Sequence, residues 1–226
     1  MLHVEELSLF YRSEGLIVPV LDRFSLHLPA GRTIALVGDS GSGKTSLALA
    51  ILGLLPDNAV LQGRITLSGL ELTSLSERQR RLLRVQRIRY LSQHPSVLFN
   101  PVRTIGDHLC ESLQHAFPRQ QRSSLIQQAR AWLCEVGLEP SHLHSYPHQF
   151  SGGMLQRAAL ALAISAKPEL LIADEPTSSL DSLHAVQILT LMQQLQKRHN
   201  TSILWITHHS GLAHHFSDQI VRLPSR

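Results

Sequence analysis

The segment from Gly38 to Thr45, with the sequence GDSGSGKT, has the residue types and the spacing of a loop that binds phosphate. It fits the pattern G-x-x-x-x-G-K-[ST], in which glycines let the backbone curl and point successive N–H groups at phosphate oxygens. In this pattern the lysine, Lys44, reaches the β- and γ-phosphates of a nucleotide, and the hydroxyl of Thr45 binds Mg²⁺. The candidate nucleotide-binding residues of this segment are Gly38, Asp39, Ser40, Gly41, Ser42, Gly43, Lys44, Thr45 and Ser46.

The elements on either side of this loop are the ones that such a loop requires. Residues 33–37 (TIALV) form an apolar run that is typical of a buried strand, and a helix is predicted to start near Gly43. The positive end of that helix would face the bound anion. A Gly/Ser-rich turn is the alternative, and it is disfavoured because every fixed position of the pattern matches between a strand and a helix.

A second segment narrows the class of protein, because a phosphate loop also occurs in kinases, GTPases, helicases and transport ATPases. Residues 150–157 read FSGGMLQR, and this string resembles the signature of the ABC (ATP-binding cassette) ATPases. Ser151 also suits the N-cap of a helix from Met154 to Ala166, and the two interpretations are compatible. The resemblance implies that the signature closes over an ATP bound by a partner subunit. The residues implied to contact that ATP are Ser151, Gly152, Gly153 and Gln156.

Two adjacent carboxylates follow a predicted buried strand. The apolar residues 170–173 precede Asp174 and Glu175. The resemblance implies that Asp174 holds Mg²⁺ through its water shell and that Glu175 polarises the attacking water. A pair of solvated acids at a strand end is the alternative.

Further along, residues 179–181 (SLD) resemble the D-loop, which implies that Asp181 lies at the dimer interface near the nucleotide. The alternative there is a helix N-cap at Asp181 or the next residue.

Three more positions match the same family. Gln93 follows the predicted strand 88–92, and the resemblance implies that it touches Mg²⁺ or the attacking water. His208 follows the strand 203–207 and is implied to contact the γ-phosphate, with His209 as the alternative. Tyr11 is implied to stack on adenine. Phe10 is the alternative in that role, because successive residues of a strand face opposite sides.

The resemblance can be narrowed to one branch of the family. Residues 93–106 and 172–177 resemble the oligopeptide, dipeptide and nickel importers, and the string SGGMLQR is particularly similar to nickel-type import ATPases. The chain stops at Arg226, soon after its last predicted strand. We expect this of the shorter metal or metallophore importers more than of the peptide importers, and truncation is the alternative. The solute itself does not follow from the sequence, because in this family the ATPase does not touch the cargo.

The order of the predicted elements indicates an α/β fold, with a P-loop NTPase core, a mostly parallel sheet, an antiparallel β subdomain and a helical lobe that carries the signature. Residues 1–226 are predicted to form a single ABC ATPase domain. Its catalytic core is expected at 1–93 and 167–226, and its helical lobe at 94–166. The predicted strands are 2–10, 23–28, 33–37, 63–69, 88–92, 169–174, 202–207 and 219–223, and the predicted helices of the lobe are 104–116 and 122–137.

The composition fits a protein that works beside a membrane without crossing it. Apolar residues make up 43% of the 226 residues. No apolar run reaches the 18 or so residues that span a bilayer, and no basic leader is visible. We expect a peripheral ATPase on the cytoplasmic face of the inner membrane, with ATP and Mg²⁺ as cofactors. The partners implied by the resemblance are integral-membrane permease subunits, a sister ABC ATPase or a second copy of this chain, and, indirectly, an extracytoplasmic solute-binding protein.

Two other classes of function are weighed against transport. A soluble ABC ATPase acting on nucleic acid or ribosomes is one, but the interval between Thr45 and Ser151 has room only for a helical lobe. A regulatory module that does not hydrolyse ATP is the other, and Glu175 and His208 count against it. The arginines of segment 78–89 alternate with apolar residues and lack interleaved aromatics, so they predict a solvated helix face and no nucleic-acid partner. The 14 histidines lack the supporting carboxylates and cysteines of a metal site.

Overall fold

The computed structural model describes residues 1–13 and 16–224, so the predicted domain end at Arg226 lies outside the described residues. The chain forms two compact units. The first comprises Met1–Arg84 together with Ser202–Arg226, and the second comprises Val85–Thr201. The segment predicted to be the helical lobe, 94–166, lies within the second unit.

The first unit contains the predicted antiparallel sheet. Its four strands lie in the order β2-β1-β4-β5. Their bounds are β1 (Leu2–Ser13), β2 (Leu16–Leu28), β4 (Ala59–Leu67) and β5 (Leu70–Glu71). The hairpin of β1 and β2 is longer than predicted, because residues 16–18 are apolar yet exposed and give no alternating pattern. Pro19 pairs with Phe10 on this edge strand, where the missing N–H of proline is tolerated.

The first unit also holds three parallel strands, with β3 in the middle. They are β3 (Thr33–Val37), β8 (Ser202–Thr207) and β9 (Gln219–Arg222). β3 pairs in parallel with both neighbours, and all of its residues are buried. Such continuous apolar runs are typical of parallel strands covered on both faces. The predicted bounds of β3 and β8 match the structure.

Asp218 fixes the start of β3. Its Oδ2 accepts a hydrogen bond from the backbone N–H of Thr33 at 2.7 Å, and its Oδ1 accepts one from Arg32 at 2.9 Å. Thr33 is 6% exposed, so its N–H depends on this carboxylate for a partner. The position of β3, and of the loop that follows it, therefore depends partly on Asp218.

Two arginines of the segment predicted to be a solvated face have partners inside the first unit. They belong to α2 (Glu77–Gln86). Arg84 donates to the carbonyl of Leu52 at 2.9 Å, at the end of α1 (Lys44–Leu52), and Arg80 donates to the carbonyl of Thr73 at 3.2 Å. A cation at a helix C-terminus compensates the helix dipole. The prediction of a solvated face was therefore wrong for these two side chains.

The second unit combines a parallel strand pair with four helices. The strands are β6 (Ile88–Leu91) and β7 (Leu170–Asp174), and the helices are α3 (Ile105–Ala116), α4 (Arg122–Glu135), α5 (Gly152–Ile164) and α6 (Ser182–His199). A capping box between Thr104 and Asp107 starts α3. Glu135, at the end of α4, accepts from Arg198 at 2.9 Å and contacts His199 at 2.8 Å, which ties α4 to the end of α6.

The last helix, α7 (Ser210–Phe216), belongs to the first unit and was not predicted. It spans seven residues and carries no apolar stripe long enough to indicate a helix from the sequence. Across residues 1–13 and 16–224, no helix has both the length and the apolar character required to cross a lipid bilayer.

We predict that Asp218→Ala lowers the free energy of unfolding by roughly 1–3 kcal/mol, because the buried N–H of Thr33 loses its acceptor. Arg32→Ala is the matched control, since it removes only the ion pair, and the Arg32 side chain is 61% exposed. Its expected cost is roughly 0–1 kcal/mol. Denaturant unfolding measures both, and equal costs would show that the bond to Thr33 adds no stability.

Candidate functional site

The phosphate loop joins β3 to α1 through a backbone conformation that only glycine adopts readily. Gly43 has φ 99° and precedes the first residue of α1. A Cβ at this position would lie 3.0 Å from the carbonyl oxygen of Val20 and 3.0 Å from its Cγ1. Strand β2 therefore comes against the loop at a residue that has no side chain, and this fixes where α1 begins.

The N-terminus of α1 is arranged to receive an anion. Gly43 supplies no side-chain cap, and the first turn contains no acidic residue. The helix therefore presents its positive end without a carboxylate of its own.

Lys44 is buried in the same loop, with only 7% of its surface exposed. Its Nζ donates to the carbonyl of Gly38 at 2.7 Å and to the carbonyl of Asp39 at 2.6 Å. A buried ammonium requires such partners. The loop thus holds a cation next to an uncapped helix N-terminus, and this donor set fits the phosphates of ATP. The hydroxyl of Thr45, in the first turn, is of the type that binds the accompanying Mg²⁺.

His208 lies at the same end of the sheet as the phosphate loop. A depression in the first unit is lined by Gly38, Asp39, His208, Ser210 and Arg222 among others. His209 is absent from this lining. It occupies the N-cap of α7, and its backbone N–H donates to Thr207 Oγ1 at 3.0 Å. His208 thus lies at the depression beside the loop, and its contact with a γ-phosphate stays a prediction.

Tyr11 and Phe10 both lie close to the phosphate loop. The hydroxyl of Tyr11 donates to Ser46 Oγ at 3.3 Å, which places it beside the first turn of α1. Phe10 lines a mostly apolar depression with Ser42 and the residues of β2 that follow Pro19. Both side chains are partly buried. The role of Tyr11 at adenine stays a prediction.

In the second unit, Asp174 is the last residue of β7 and is 6% exposed. Its Oδ2 accepts a hydrogen bond from the hydroxyl of Tyr90, on β6, at 3.0 Å. Burial of Tyr90, together with the neighbouring Asp174 carboxylate and the hydrogen bond to it, raises the pKa of the phenol. Sequence reasoning did not find Tyr90, because the contact joins residues 84 positions apart.

Glu175 has an unusual backbone for its residue type. Its φ is 49°, in the left-handed region, where a side chain crowds the backbone. The carbonyl of Glu175 accepts from both the N–H and the hydroxyl of Ser178, at 3.2 Å and 3.1 Å, and this closes the turn after β7. Backbone strain of this kind is concentrated at functional sites, and here it follows the strand that ends in Asp174.

The signature segment begins α5 as predicted, with Ser151 at the N-cap. Ser151 Oγ accepts from the N–H of Met154 at 3.3 Å. A Cβ added to Gly152 would meet no atom within 4 Å, and one added to Gly153 would meet only His184 Cδ2 at 3.7 Å. Neither glycine has a positive φ. Nothing in the packing of the described residues therefore requires glycine at these two positions.

Two further predicted residues of the second unit, Gln156 and Gln93, differ in burial. Gln156 is fully buried, and neither atom of its amide has a hydrogen-bond partner in the part of the chain that the structure describes. Its contact with nucleotide stays a prediction. Gln93 is exposed in the loop after β6.

Asp181 is the N-cap of α6, as its alternative interpretation predicted. Its Oδ1 accepts from the N–H groups of Leu183 and His184, each at 3.0 Å, and its Oδ2 lies 2.6 Å from His184 Nδ1. The backbone N–H of His184, and then its side chain, lower the pKa of Asp181. An N-cap residue and a residue at a dimer interface are compatible roles.

Comparison with known proteins identifies the family. A family model described as ABC transporter matches residues 21–178. The chain belongs to the ABC transporter family. It is 36% identical over 225 residues to the oligopeptide transport ATP-binding protein AppD of Bacillus subtilis, and the match covers 98% of this chain and 68% of AppD. It is 39% identical over 206 residues to the di/tripeptide transport ATP-binding protein DppF of Pseudomonas aeruginosa, covering 90% of this chain and 62% of DppF.

The chain spans about two thirds of the length of these curated ABC relatives. Two of the solved structures that share its fold are MJ0796 and cbiO1. MJ0796 is a dimeric ATP-binding cassette bound to ADP and Pi, with a TM-score of 0.86 and 24% identity; the match covers 99% of this chain and 94% of that one. The other is cbiO1 of Clostridium perfringens, with a TM-score of 0.84 and 23% identity; the match covers 98% of this chain and 84% of that one. The predicted family and the predicted fold class are confirmed. The narrower likeness to nickel importers stays a prediction, since AppD and DppF are named for peptides.

We predict that Glu175→Gly is more stable to unfolding than Glu175→Ala by about 1 kcal/mol, because glycine relieves the left-handed backbone. The two variants differ only in the Cβ, so lost side-chain contacts cancel. Ser179, nearby in the chain, lacks a positive φ. There we expect the reverse, with Ser179→Ala more stable to unfolding than Ser179→Gly. Denaturant unfolding of the four variants checks this, and the same order at both sites would contradict the assigned strain.

Proposed function

We propose that this chain is the ATP-binding and hydrolysing subunit of an ABC importer, which couples ATP hydrolysis to uptake of peptides or metal chelates. The observation that carries the proposal is the buried ammonium of Lys44, held by two loop carbonyls at the uncapped start of α1. The names of AppD and DppF support ATP binding and transport as the activity.

Binding would begin at the phosphate loop. Lys44 would exchange its bonds to the carbonyls of Gly38 and Asp39 for bonds to phosphate oxygens, which carry a full charge and accept more strongly. Loop residues 38–46 would supply N–H donors, and Tyr11 would stack on adenine. His208, at the depression beside the loop, would contact the γ-phosphate.

The residues that would hold Mg²⁺ are Thr45, Asp174 and Gln93. When bound with ATP, Mg²⁺ neutralises charge on the β- and γ-phosphates. Glu175 would accept a hydrogen bond from the attacking water and orient it. Most of the rate acceleration then comes from positioning and from charge stabilisation, as in phosphoryl transfer generally.

The open glycines of the signature support a site completed by a second subunit. Gly152 and Gly153 lie at the start of α5, where a Cβ on Gly152 would meet no atom within 4 Å and one on Gly153 would meet only His184. Glycine allows another molecule to approach the backbone closely. Together with Ser151 and Asp181, these residues would close over ATP bound by a sister ATPase or by a second copy of this chain. MJ0796, a cassette of the same fold, is dimeric.

An exposed apolar segment is our candidate for the contact with the permease. In residues 94–102, Val97 is 73% exposed and Val102 is 77% exposed, although both are apolar. Apolar side chains exposed together often mark a protein interface. Docking there would place the chain on the cytoplasmic face of the membrane, and the solute-binding protein would act only through the permease.

A role on nucleic acid is not favoured by the arginine-rich segment. Arg80, Arg84 and Arg87 donate to groups of the chain itself. Their charge therefore supports the fold at least in part.

We predict that Gly153→Ala folds as stably as the parent chain but loses ATP turnover by on the order of 10²-fold, because the added methyl group holds the partner's nucleotide away from the signature. Gly211→Ala is the matched control, since Gly211 is also helical and its Cβ would meet no atom within 4 Å. Phosphate release and thermal melting measure the two effects. Equal turnover in Gly153→Ala and Gly211→Ala would contradict the proposal.

A further inference from the structure

Tyr90 contacts the carboxylate that we assign to the magnesium site. Its hydroxyl donates to Asp174 Oδ2 at 3.0 Å, and both residues belong to the second unit. Asp174 is nearly inaccessible to solvent and Tyr90 is half-buried. A hydrogen bond to an ionised carboxylate in such surroundings is stronger than one between neutral groups.

The pairing of the two strands sets up this contact. β6 and β7 are parallel, and their register places Tyr90 opposite Ile172. Asp174 lies two residues further along β7, so it shares a face of the sheet with Ile172. A long aromatic side chain reaches a diagonal neighbour at this distance. The position of the phenol is therefore fixed by backbone pairing.

We propose that Tyr90 is a positioning residue that fixes the orientation of the Asp174 carboxylate toward the magnesium nucleotide. The inference rests on the proposed function, in which Asp174 binds the metal's water shell. The terminal torsion of an aspartate has a broad energy profile, so a carboxylate without a fixed partner samples many orientations. A bond to one oxygen restricts that rotation and leaves the carboxylate with further lone pairs as acceptors.

The same strand links Asp174 to a second predicted contact of the metal. Gln93 follows Tyr90 by three residues, just after β6 ends at Leu91. The hydrogen bond from Tyr90 thus attaches the end of β6 to Asp174. This is the point at which the chain leaves β6 and continues to Gln93. Tyr90 would set the positions of both groups together.

The surroundings of Tyr90 also require its hydroxyl to have a hydrogen-bond partner, and Asp174 is that partner. Tyr90 lies between Ile88, which is fully buried, and Leu91, which is fully buried as well. A tyrosine hydroxyl in such a place is normally hydrogen-bonded.

Tyr90→Phe tests the inference, because it removes the hydroxyl alone. The affinity for a fluorescent ATP analogue is measured in EDTA and in saturating Mg²⁺, for the parent chain, for Tyr90→Phe and for the matched control Tyr146→Phe. We expect the affinity in EDTA to be unchanged in Tyr90→Phe, whereas the affinity in Mg²⁺ falls on the order of tenfold, as for other residues that orient a metal ligand. The control should match the parent in both conditions.

A double-mutant cycle separates positioning from a structural role. In an Asp174→Asn background, Tyr90→Phe should cause no further loss of the magnesium-dependent affinity. If Mg²⁺ changes the affinity for the analogue equally in the parent chain and in Tyr90→Phe, the inference is overturned. It is also overturned if Tyr90→Phe loses the same affinity in EDTA as in Mg²⁺. A parent chain that binds the analogue equally with and without Mg²⁺ overturns the proposed magnesium site, and the inference with it.

Discussion

The buried ammonium of Lys44 is the constraint on which the rest of the first unit depends. Lys44 is held by two carbonyls of its own loop, and those carbonyls are placed by the end of β3. β3 is in turn buried between two parallel strands and fixed at its start by Asp218. The loop takes its curled shape because Gly41 and Gly43 accept a left-handed backbone, Gly43 beside Val20. The fold therefore keeps a cation in place for an anion to approach.

The second unit carries carboxylate groups at the end of β7, a strand as buried as β3. β7 ends in Asp174, which is oriented by Tyr90, and the chain then turns sharply at Glu175. The signature at the start of α5 lacks side chains that would block a close approach. Each unit thus contains buried or strained groups of the kinds that occur at ligand sites. We propose that the ligand of these groups is ATP, bound between two subunits.

The sequence predicted the local features well and the distant contacts poorly. The bounds of β3 and the phosphate loop follow from a motif of eight adjacent residues, and the N-caps of α5 and α6 follow from Ser151 and Asp181. The bond from Tyr90 to Asp174 depends on the register of two strands far apart in the chain, which no local pattern reveals. Arg80 and Arg84 of α2 were misjudged for the same reason, since the carbonyl that binds Arg84 belongs to another helix.

The measurement that tests the central claim most directly is the affinity for ATP of the parent chain, Lys44→Ala and the exposed control Lys197→Ala, by isothermal titration calorimetry. The account predicts that Lys197→Ala binds as the parent does and that Lys44→Ala binds roughly 10- to 100-fold more weakly, because charge-assisted hydrogen bonds to phosphate are lost. Thermal melting confirms that both variants are folded. Equal affinity of a folded Lys44→Ala would contradict the account.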